Sequence, residues 1–388
     1  MVVHSRARRK TGHPHLDHSV IHNCAQGAGR RRGTCQREAV SAQPAPAHLP
    51  GPTRLPPAGR LLWRSASAAQ LEVGARRVVI DGVGADAVRH LIGREPDGAI
   101  ASPAVALLQR ELLGAGLLWR HRPVDELTET DLRHTPPHPR LMAEQTALSA
   151  RCGEQAGPLL RARQDATVVI QGRHGLGPQL GAVLAGAGVG RVCLVGSGQA
   201  RLQHAMPGGL LPTDEGADFE LAGVKAISRH APETDCLPLP FGERPDLVVL
   251  VHDEPVPTER RDALHAHGCA HLLVRLACNT ASIGPLVLPG LSSCLRCTDL
   301  HRLDRDPAWN ALAVQLSLAA RAAPASEVAL ATAVAGLAAI QVLEFLDGGS
   351  PTTIEGALEM QLPDWRLRRR SWPVHPDCDC MFAPNPGS

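Results

Sequence analysis

Apolar runs alternate with helix-forming stretches through the second half of the chain. Four runs rich in valine, isoleucine and leucine predict strands at 167–171, 191–196, 246–251 and 271–276. The stretches between them predict helices near 177–188, 217–230 and 258–267. Strands separated by helices are typical of parallel βαβ units, with binding sites at the carboxyl ends of the strands. We therefore predict an α/β fold with a Rossmann-like, mostly parallel sheet over residues 166–388.

The pattern is different over residues 58–125. Gln70–Val73 and Arg76–Asp81 flank Gly74 and predict a hairpin, and helices are predicted at 86–92 and 102–113. A hairpin with small helices favours a winged-helix-like α+β module. Peptide binding is the hypothesis for this module, since an extended peptide could add to its strand edge by backbone pairing. An irregular α+β cap on the main domain is the alternative. The polar, proline-broken segment 126–165 is predicted to be a linker.

Residues 1–57 are rich in arginine, histidine and proline and show no apolar period. They are expected to be disordered or to result from an over-extended gene start, and they lack the apolar core of a secretory signal. The formal net charge of +2 gives no electrostatic footprint for nucleic acid or a membrane surface. The Ala/Gly-rich stretch 328–343 is about four residues short of a bilayer span, so we expect a buried or dimer-interface helix. These features predict a soluble, cytoplasmic protein, with a homodimer as one assembly that this helix would allow.

Two cysteine pairs carry a metal-ligating pattern. Cys294 and Cys297 form a C-x2-C knuckle, and Cys378 and Cys380 form a second pair. Four thiolates suit one tetrahedral zinc ion, and eleven cysteines without an export signal suit a reducing compartment. Cys378 and Cys380 are separated by one residue instead of the usual two, so His375 is an alternative ligand. The other interpretations are unrelated reduced thiols and a redox pair. We favour a closed structural zinc site whose binding energy contributes to folding.

A glycine-rich turn follows the first strand of the predicted sheet. Gly172, Gly175 and Gly177 stand at relative positions 1, 4 and 6, whereas dinucleotide-binding turns have glycines at 1, 3 and 6. His174 occupies the third position. The following helix still offers backbone N–H groups to an anion. The second strand ends at Gly196, where a nucleotide-binding protein usually has the acid that holds the ribose.

Taken together, these features resemble the ThiF-type adenylyltransferases, which are relatives of the ubiquitin-activating enzymes. Three further segments carry the resemblance: AGVGRVCLV at 187–195, DLVVLVHDE at 246–254 and IGPLVLPG at 283–290. The resemblance extends over about 165–381. It is strongest to an actinobacterial subgroup with an added N-terminal domain. Similar proteins of azole-forming peptide pathways bind the leader of a precursor peptide and partner a cyclodehydratase.

The resemblance implies adenylation of a peptide or sulfur-carrier carboxylate with ATP and magnesium. Asp253 would be the catalytic, magnesium-binding aspartate, and the three loop glycines would bind the nucleotide. The other nucleotide-binding residues that the resemblance implies are incomplete: Gly196 replaces the ribose acid, and 203–209 contains no arginine. Lys225 lies about two helical turns beyond the expected lysine. ATP and magnesium are therefore doubtful cofactors, since losing several transition-state contacts normally abolishes turnover.

Three functional hypotheses remain open. The favoured one is a non-catalytic adenylyltransferase-like protein that binds a precursor or carrier peptide and presents it to a cyclodehydratase-type partner enzyme. The second is an active ATP-dependent adenylyltransferase. The third is a nicotinamide-dependent oxidoreductase, against which the missing ribose acid and the cysteine pairs count.

Overall fold

A computed structural model describes residues 53–82, 84–92, 103–120, 138–252, 255–318 and 326–382. These residues fall into two units with separate apolar cores. Unit 1 contains the described residues up to 120 together with 146–154, and unit 2 contains residues 138–145 and those after 154. Disorder or an over-extended gene start was expected for 1–57; residues 1–52 lie outside the described residues, whereas Thr53–Arg54 form a short strand.

Unit 1 is built on a three-stranded antiparallel meander. Its strands are β1 (Thr53–Arg54), β2 (Gly59–Ser65), β3 (Ala68–Val73), β4 (Arg76–Asp81) and β5 (Trp119–Arg120), and its helices include α1 (Ala85–Leu91) and α2 (Pro103–Gly114). Strand β3 pairs with both β2 and β4, while β1 pairs with β5. Gly74 has a φ of +58°, which allows the tight turn of the predicted hairpin between β3 and β4. Strands β1, β2 and β5 were not predicted.

Every second side chain of β3 belongs to the apolar core of unit 1. Ala69, Leu71 and Val73 are buried on one face, while the residues between them are partly exposed. They pack in one cluster with leucines of α2, including Leu108 and Leu112. The hairpin β3–β4 and the two helices match the elements predicted for this region, and the winged-helix assignment stays a prediction.

A mixed seven-stranded sheet organises unit 2. Its strands are β6 (Thr167–Gln171), β7 (Arg191–Val195), β8 (Leu247–Val251), β9 (His271–Ala277), β10 (Thr280–Val287), β11 (Gly356–Gln361) and β12 (Arg368–Ser371). They lie in the order β12-β11-β10-β9-β8-β6-β7. Strands β6 to β9 are parallel, as predicted, whereas β10, β11 and β12 extend the sheet as an antiparallel meander. The α/β prediction is confirmed, and the antiparallel end is an addition to it.

Helices cover both faces of this sheet. After α3 (Met142–Cys152), which is shared by the two units, the helices are α4 (Ala156–Asp165), α5 (Leu176–Gly186), α6 (Phe219–Ser228), α7 (Thr258–Ala266), α8 (Leu295–Leu303), α9 (Trp309–Leu318) and α10 (Val328–Leu346). Residues of α5 and α10 share one apolar cluster with one face of the strands, and residues of α7 and α8 share another with the opposite face. Successive strand residues point to opposite faces, so Val168 and Val169 belong to different clusters. Helices α3 and α4 occupy part of the segment expected to be a linker.

Helix α10 is long and apolar enough to cross a membrane by length and composition alone. The core helix of a soluble protein passes the same test, and several α10 residues belong to the sheet-facing cluster: Leu330, Ala331, Val334, Ala335, Ala338, Ala339 and Val342. The helix begins after Glu327, and the hydroxyl of the preceding Ser326 lies 3.4 Å from Nε2 of His174. This placement agrees with the expected buried helix. The homodimer stays a prediction.

Arg163 ties the helices of unit 2 together. Its guanidinium makes two 2.7 Å hydrogen bonds to the carboxylate of Asp347 and one of 2.8 Å to Glu144. Burial alone would lower the pKa of Arg163, but these carboxylates raise it above its ordinary value. The ion pair between Arg163 and Asp347 joins α4 to the end of α10.

Candidate functional site

The four cysteines of the two pairs meet at one buried point. Cys294 caps the N-terminus of α8, Cys297 lies in its first turn, and Cys378 and Cys380 come from the segment after β12. The Sγ atom of Cys294 lies 3.8 Å from that of Cys297 and 3.7 Å from that of Cys378, and Cys297 lies 3.6 Å from Cys380. Sulfurs about 2.3 Å from a tetrahedral zinc ion lie about 3.8 Å apart. The donor set and its spacing therefore fit zinc.

The protonation of these thiols also favours a bound cation. The Cys294 thiol donates to Cys297, which raises the pKa of Cys294 and lowers that of Cys297. Burial raises the pKa of Cys380. Four buried sulfurs this close cannot all ionise without a counter-charge, because like charges disfavour one another in a low dielectric. A divalent ion would supply that charge and take all four as thiolates.

His375, the alternative ligand, is engaged elsewhere. Its Nε2 lies 2.9 Å from Oδ2 of Asp304, and its Nδ1 accepts the backbone N–H of Asp377 at 3.1 Å. His301 lies beside it, and its own Nε2 is 3.0 Å from the carbonyl of Pro373. Both nitrogens of His375 are therefore used in holding the segment that carries Cys378 and Cys380.

Two of the three loop glycines are required by close contacts within the protein. Gly172 has a φ of +141°, and a Cβ there would lie 2.1 Å from the carbonyl oxygen of Val251. A Cβ on Gly175 would lie 2.2 Å from the carbonyl oxygen of His204. At Gly177 the nearest atom would be 3.5 Å away, which is an ordinary contact. Backbone packing alone thus accounts for Gly172 and Gly175.

The N-terminus of α5, where a phosphate would bind, is occupied by the chain itself. The buried His174 accepts the N–H of Leu176 at its Nδ1, at 3.0 Å. Gly177 donates to the carbonyl of His174 at 2.9 Å, and Pro178 has no N–H. The N–H of Gln179 points to the carbonyl of Gly175 at 3.5 Å. The donors that would hold an anion in the first turn are therefore already bonded.

Charged groups nevertheless gather at the end of β7. The N–H of Gly196 donates to Oε1 of Glu220 at 2.9 Å, so a carboxylate from α6 lies where the strand lacks one. Burial lowers the pKa of His204, and the charges of Arg173 and Arg201 lower it further. Sequence reasoning missed Glu220, because its 24-residue separation from Gly196 follows no spacing pattern. Asp253, the expected catalytic residue, lies outside the described residues.

The chain was compared with known proteins at three levels. No family model matches it, and a search of curated proteins found no match. Among solved structures, Escherichia coli MccB is similar with a TM-score of 0.59 and 15% identity, covering 85% of this chain and 96% of MccB. MccB crystallised with ATP gives a TM-score of 0.60 at 14% identity, with coverage of 85% and 99%. PaaA gives 0.56 at 16%, with coverage of 82% and 99%.

Identities this low establish architecture and not activity. The similarity nevertheless extends over most of this chain and nearly the whole of each neighbour. The protein therefore shares its fold with MccB and PaaA.

Proposed function

We propose that this protein is an adenylyltransferase-like binding protein whose nucleotide site is degenerate, and that it holds a precursor or carrier peptide for a partner enzyme. The observation that carries the proposal is the occupied N-terminus of α5. His174 bonds one of its donors and Pro178 removes another, so phosphate has no ready anchor there. The missing ribose acid at Gly196 supports the same conclusion.

The peptide part of the proposal is supported by what MccB has been crystallised with. One MccB structure contains MccA carrying selenomethionine together with AMPCPP, and another contains N-formylated MccA. Selenomethionine and an N-formyl group are features of a polypeptide. A peptide is therefore the ligand class that we propose for this chain as well.

Unit 1 offers a surface on which an extended peptide would pair. Strands β2 and β4 are the outer strands of the meander, so each has one edge without a partner strand in this part of the described chain. Leu62 and Trp63 on β2 are each 45% exposed. An added strand would gain backbone hydrogen bonds along such an edge, and exposed apolar side chains would select its residues.

Fluorescence anisotropy with a leader peptide encoded beside this protein tests the peptide role. Deleting 58–125 should abolish binding, and Trp63→Ala should weaken it by at least about tenfold, as for an aromatic anchor in an interface. Trp365→Ala is the matched control, since Trp365 is 75% exposed but belongs to unit 2. Undiminished binding by the deletion variant would refute peptide recruitment through unit 1.

Calorimetry with ATP and magnesium tests the degenerate site. We expect a dissociation constant weaker than about 100 μM, because several charged contacts are missing. His174→Gly, which releases the N–H of Leu176, should tighten ATP binding by about two- to tenfold, the value of one hydrogen bond. Low-micromolar binding by the unaltered protein would contradict the proposal.

Active adenylation is the second candidate, and Glu220 is the observation that favours it. Its carboxylate at the end of β7, with Arg173 and Arg201 near His204, would supply ribose and phosphate contacts from positions outside the usual pattern. The test is ATP–pyrophosphate exchange with and without the leader peptide. Exchange that Glu220→Gln reduces would establish this candidate, and its absence in both cases would support the binding role.

A further inference from the structure

A pocket of about 310 Å³ lies on the antiparallel end of the sheet in unit 2. Four of its residues form one row across the strands, because Arg275 pairs with Ser282, Ser282 with Glu359, and Glu359 with Arg368. Residues directly opposite one another in neighbouring strands share a face of the sheet. The row therefore presents a cation at each end, with a hydroxyl and a carboxylate between them.

Arg275 is the unusual member of this row. The residue is half-buried, and its Nε atom is buried without a hydrogen-bond partner among the described residues. Burial lowers the pKa of Arg275 to about 10, and the charge of Arg302 contributes to this effect. Asp299, the charge that opposes it, already accepts hydrogen bonds from Arg261, Arg302 and Trp309.

Arg163 differs from Arg275 in having carboxylate partners. Arg163 is fully buried, but two carboxylates bond it and raise its pKa above the ordinary value. A buried cation that lacks such partners destabilises a protein. Arg275 is therefore poorly explained as a structural residue, and an anion entering the pocket would supply its missing partner.

The remaining charges leave the pocket positive. Arg366 and Arg368 line it and both approach Asp364, and Glu359 bonds Arg370 at 2.6 Å. Three arginines thus line the pocket against one glutamate whose carboxylate is already engaged. Arginine forks bind carboxylates through paired, charge-assisted hydrogen bonds.

We propose that this pocket binds a carboxylate of an acidic polypeptide segment, with Arg275 as its anchor. The neighbouring β12 is the outer strand of the sheet and all four of its residues are exposed, so an extended segment would pair with it while its side chain enters the pocket. The inference rests on the proposed function only in taking a polypeptide as ligand.

The test uses the full chain and fluorescein-labelled hexaglutamate in fluorescence anisotropy. Arg275→Met should weaken binding by at least tenfold and at the same time raise the melting temperature of the free protein, because it removes an unpaired buried charge. Arg244→Met, which alters an exposed arginine of the same unit, should change neither quantity. Labelled hexaglutamine should not bind.

Four results would overturn the inference: no binding of hexaglutamate, equal binding of hexaglutamine, unchanged affinity in Arg275→Met, or tighter binding of a labelled hexathymidylate. Trp63→Ala separates this inference from the proposed function, since it should weaken leader binding and leave hexaglutamate binding intact. If hexaglutamate fails to bind while Trp63→Ala still weakens leader binding, the pocket inference alone is wrong. If Arg275→Met loses hexaglutamate while ATP binds in the low-micromolar range, the proposed function alone is wrong.

Discussion

Removing one ligand of the cysteine centre should release its metal and destabilise unit 2. The change is Cys297→Ser, which replaces a buried thiol whose sulfur lies 3.6 Å from Cys380 and 3.8 Å from Cys294. Protein purified without chelator should contain about one zinc per chain. The variant should contain much less, because a three-thiolate structural site binds weakly.

The size of the effect follows from the four-ligand geometry. Structural zinc contributes about 10–16 kcal/mol in small zinc-binding peptides near neutral pH, which is comparable to the whole stability of a domain. If one of four ligands carries about a quarter of this, its loss removes about 3 kcal/mol. For a unit of this size that lowers the melting temperature by about 6–12 °C.

Elemental analysis and differential scanning calorimetry measure the two quantities together. Cys278→Ser is the matched control, because this cysteine is exposed and lies outside the cluster. The control should keep both its zinc and its melting temperature. Absence of zinc in the unaltered protein, or an unchanged melting temperature in Cys297→Ser, would refute the structural zinc centre.

Three further predictions concern single residues of unit 2. Arg163→Met leaves Asp347 buried without its partner and should cost about 3–5 kcal/mol in urea denaturation, whereas Arg89→Met at an exposed ion pair should cost less than about 1 kcal/mol. Burial lowers the pKa of His271 from 6.5 to about 4. Between these two pH values the unfolded chain binds more protons than the folded chain, so the stability of the protein falls as the pH is lowered. His271→Gln should flatten this part of the curve of stability against pH. Gly172→Ala should prevent folding, because its Cβ would lie 2.1 Å from a carbonyl oxygen, while Gly177→Ala should fold normally; circular dichroism of the two proteins decides this.

The parallel strands could be predicted because burial on both faces leaves an uninterrupted apolar run. All five residues of β8 are buried, and its predicted and observed limits differ by one residue. Strand β12 gave no such signal, since its four residues are three arginines and a serine, all exposed at the edge of the sheet. Charged edge residues carry no apolar alternation, so in the sequence they look like a loop.

Some features of the candidate sites could likewise be predicted from the sequence, and others could not. The cysteine pairs could be recognised because metal ligation fixes both residue type and spacing. His174 was noted as an irregularity, but only coordinates reveal that its ring bonds the first turn of α5. Arg275 interrupts the leucine-rich β9 and gives no hint that its Nε is buried, because one charged residue in a strand usually faces solvent.

The cysteine centre has a consequence for the order of events in folding. It joins α8 to the segment after β12, whereas β6 to β9 pair without any residue of that segment. We expect the four cysteines to meet late, after the sheet has brought α8 and the end of the chain together. Metal binding then follows the rate-limiting step of folding. It therefore mainly slows unfolding. Zinc would leave the speed of folding nearly unchanged and lengthen the lifetime of the folded state.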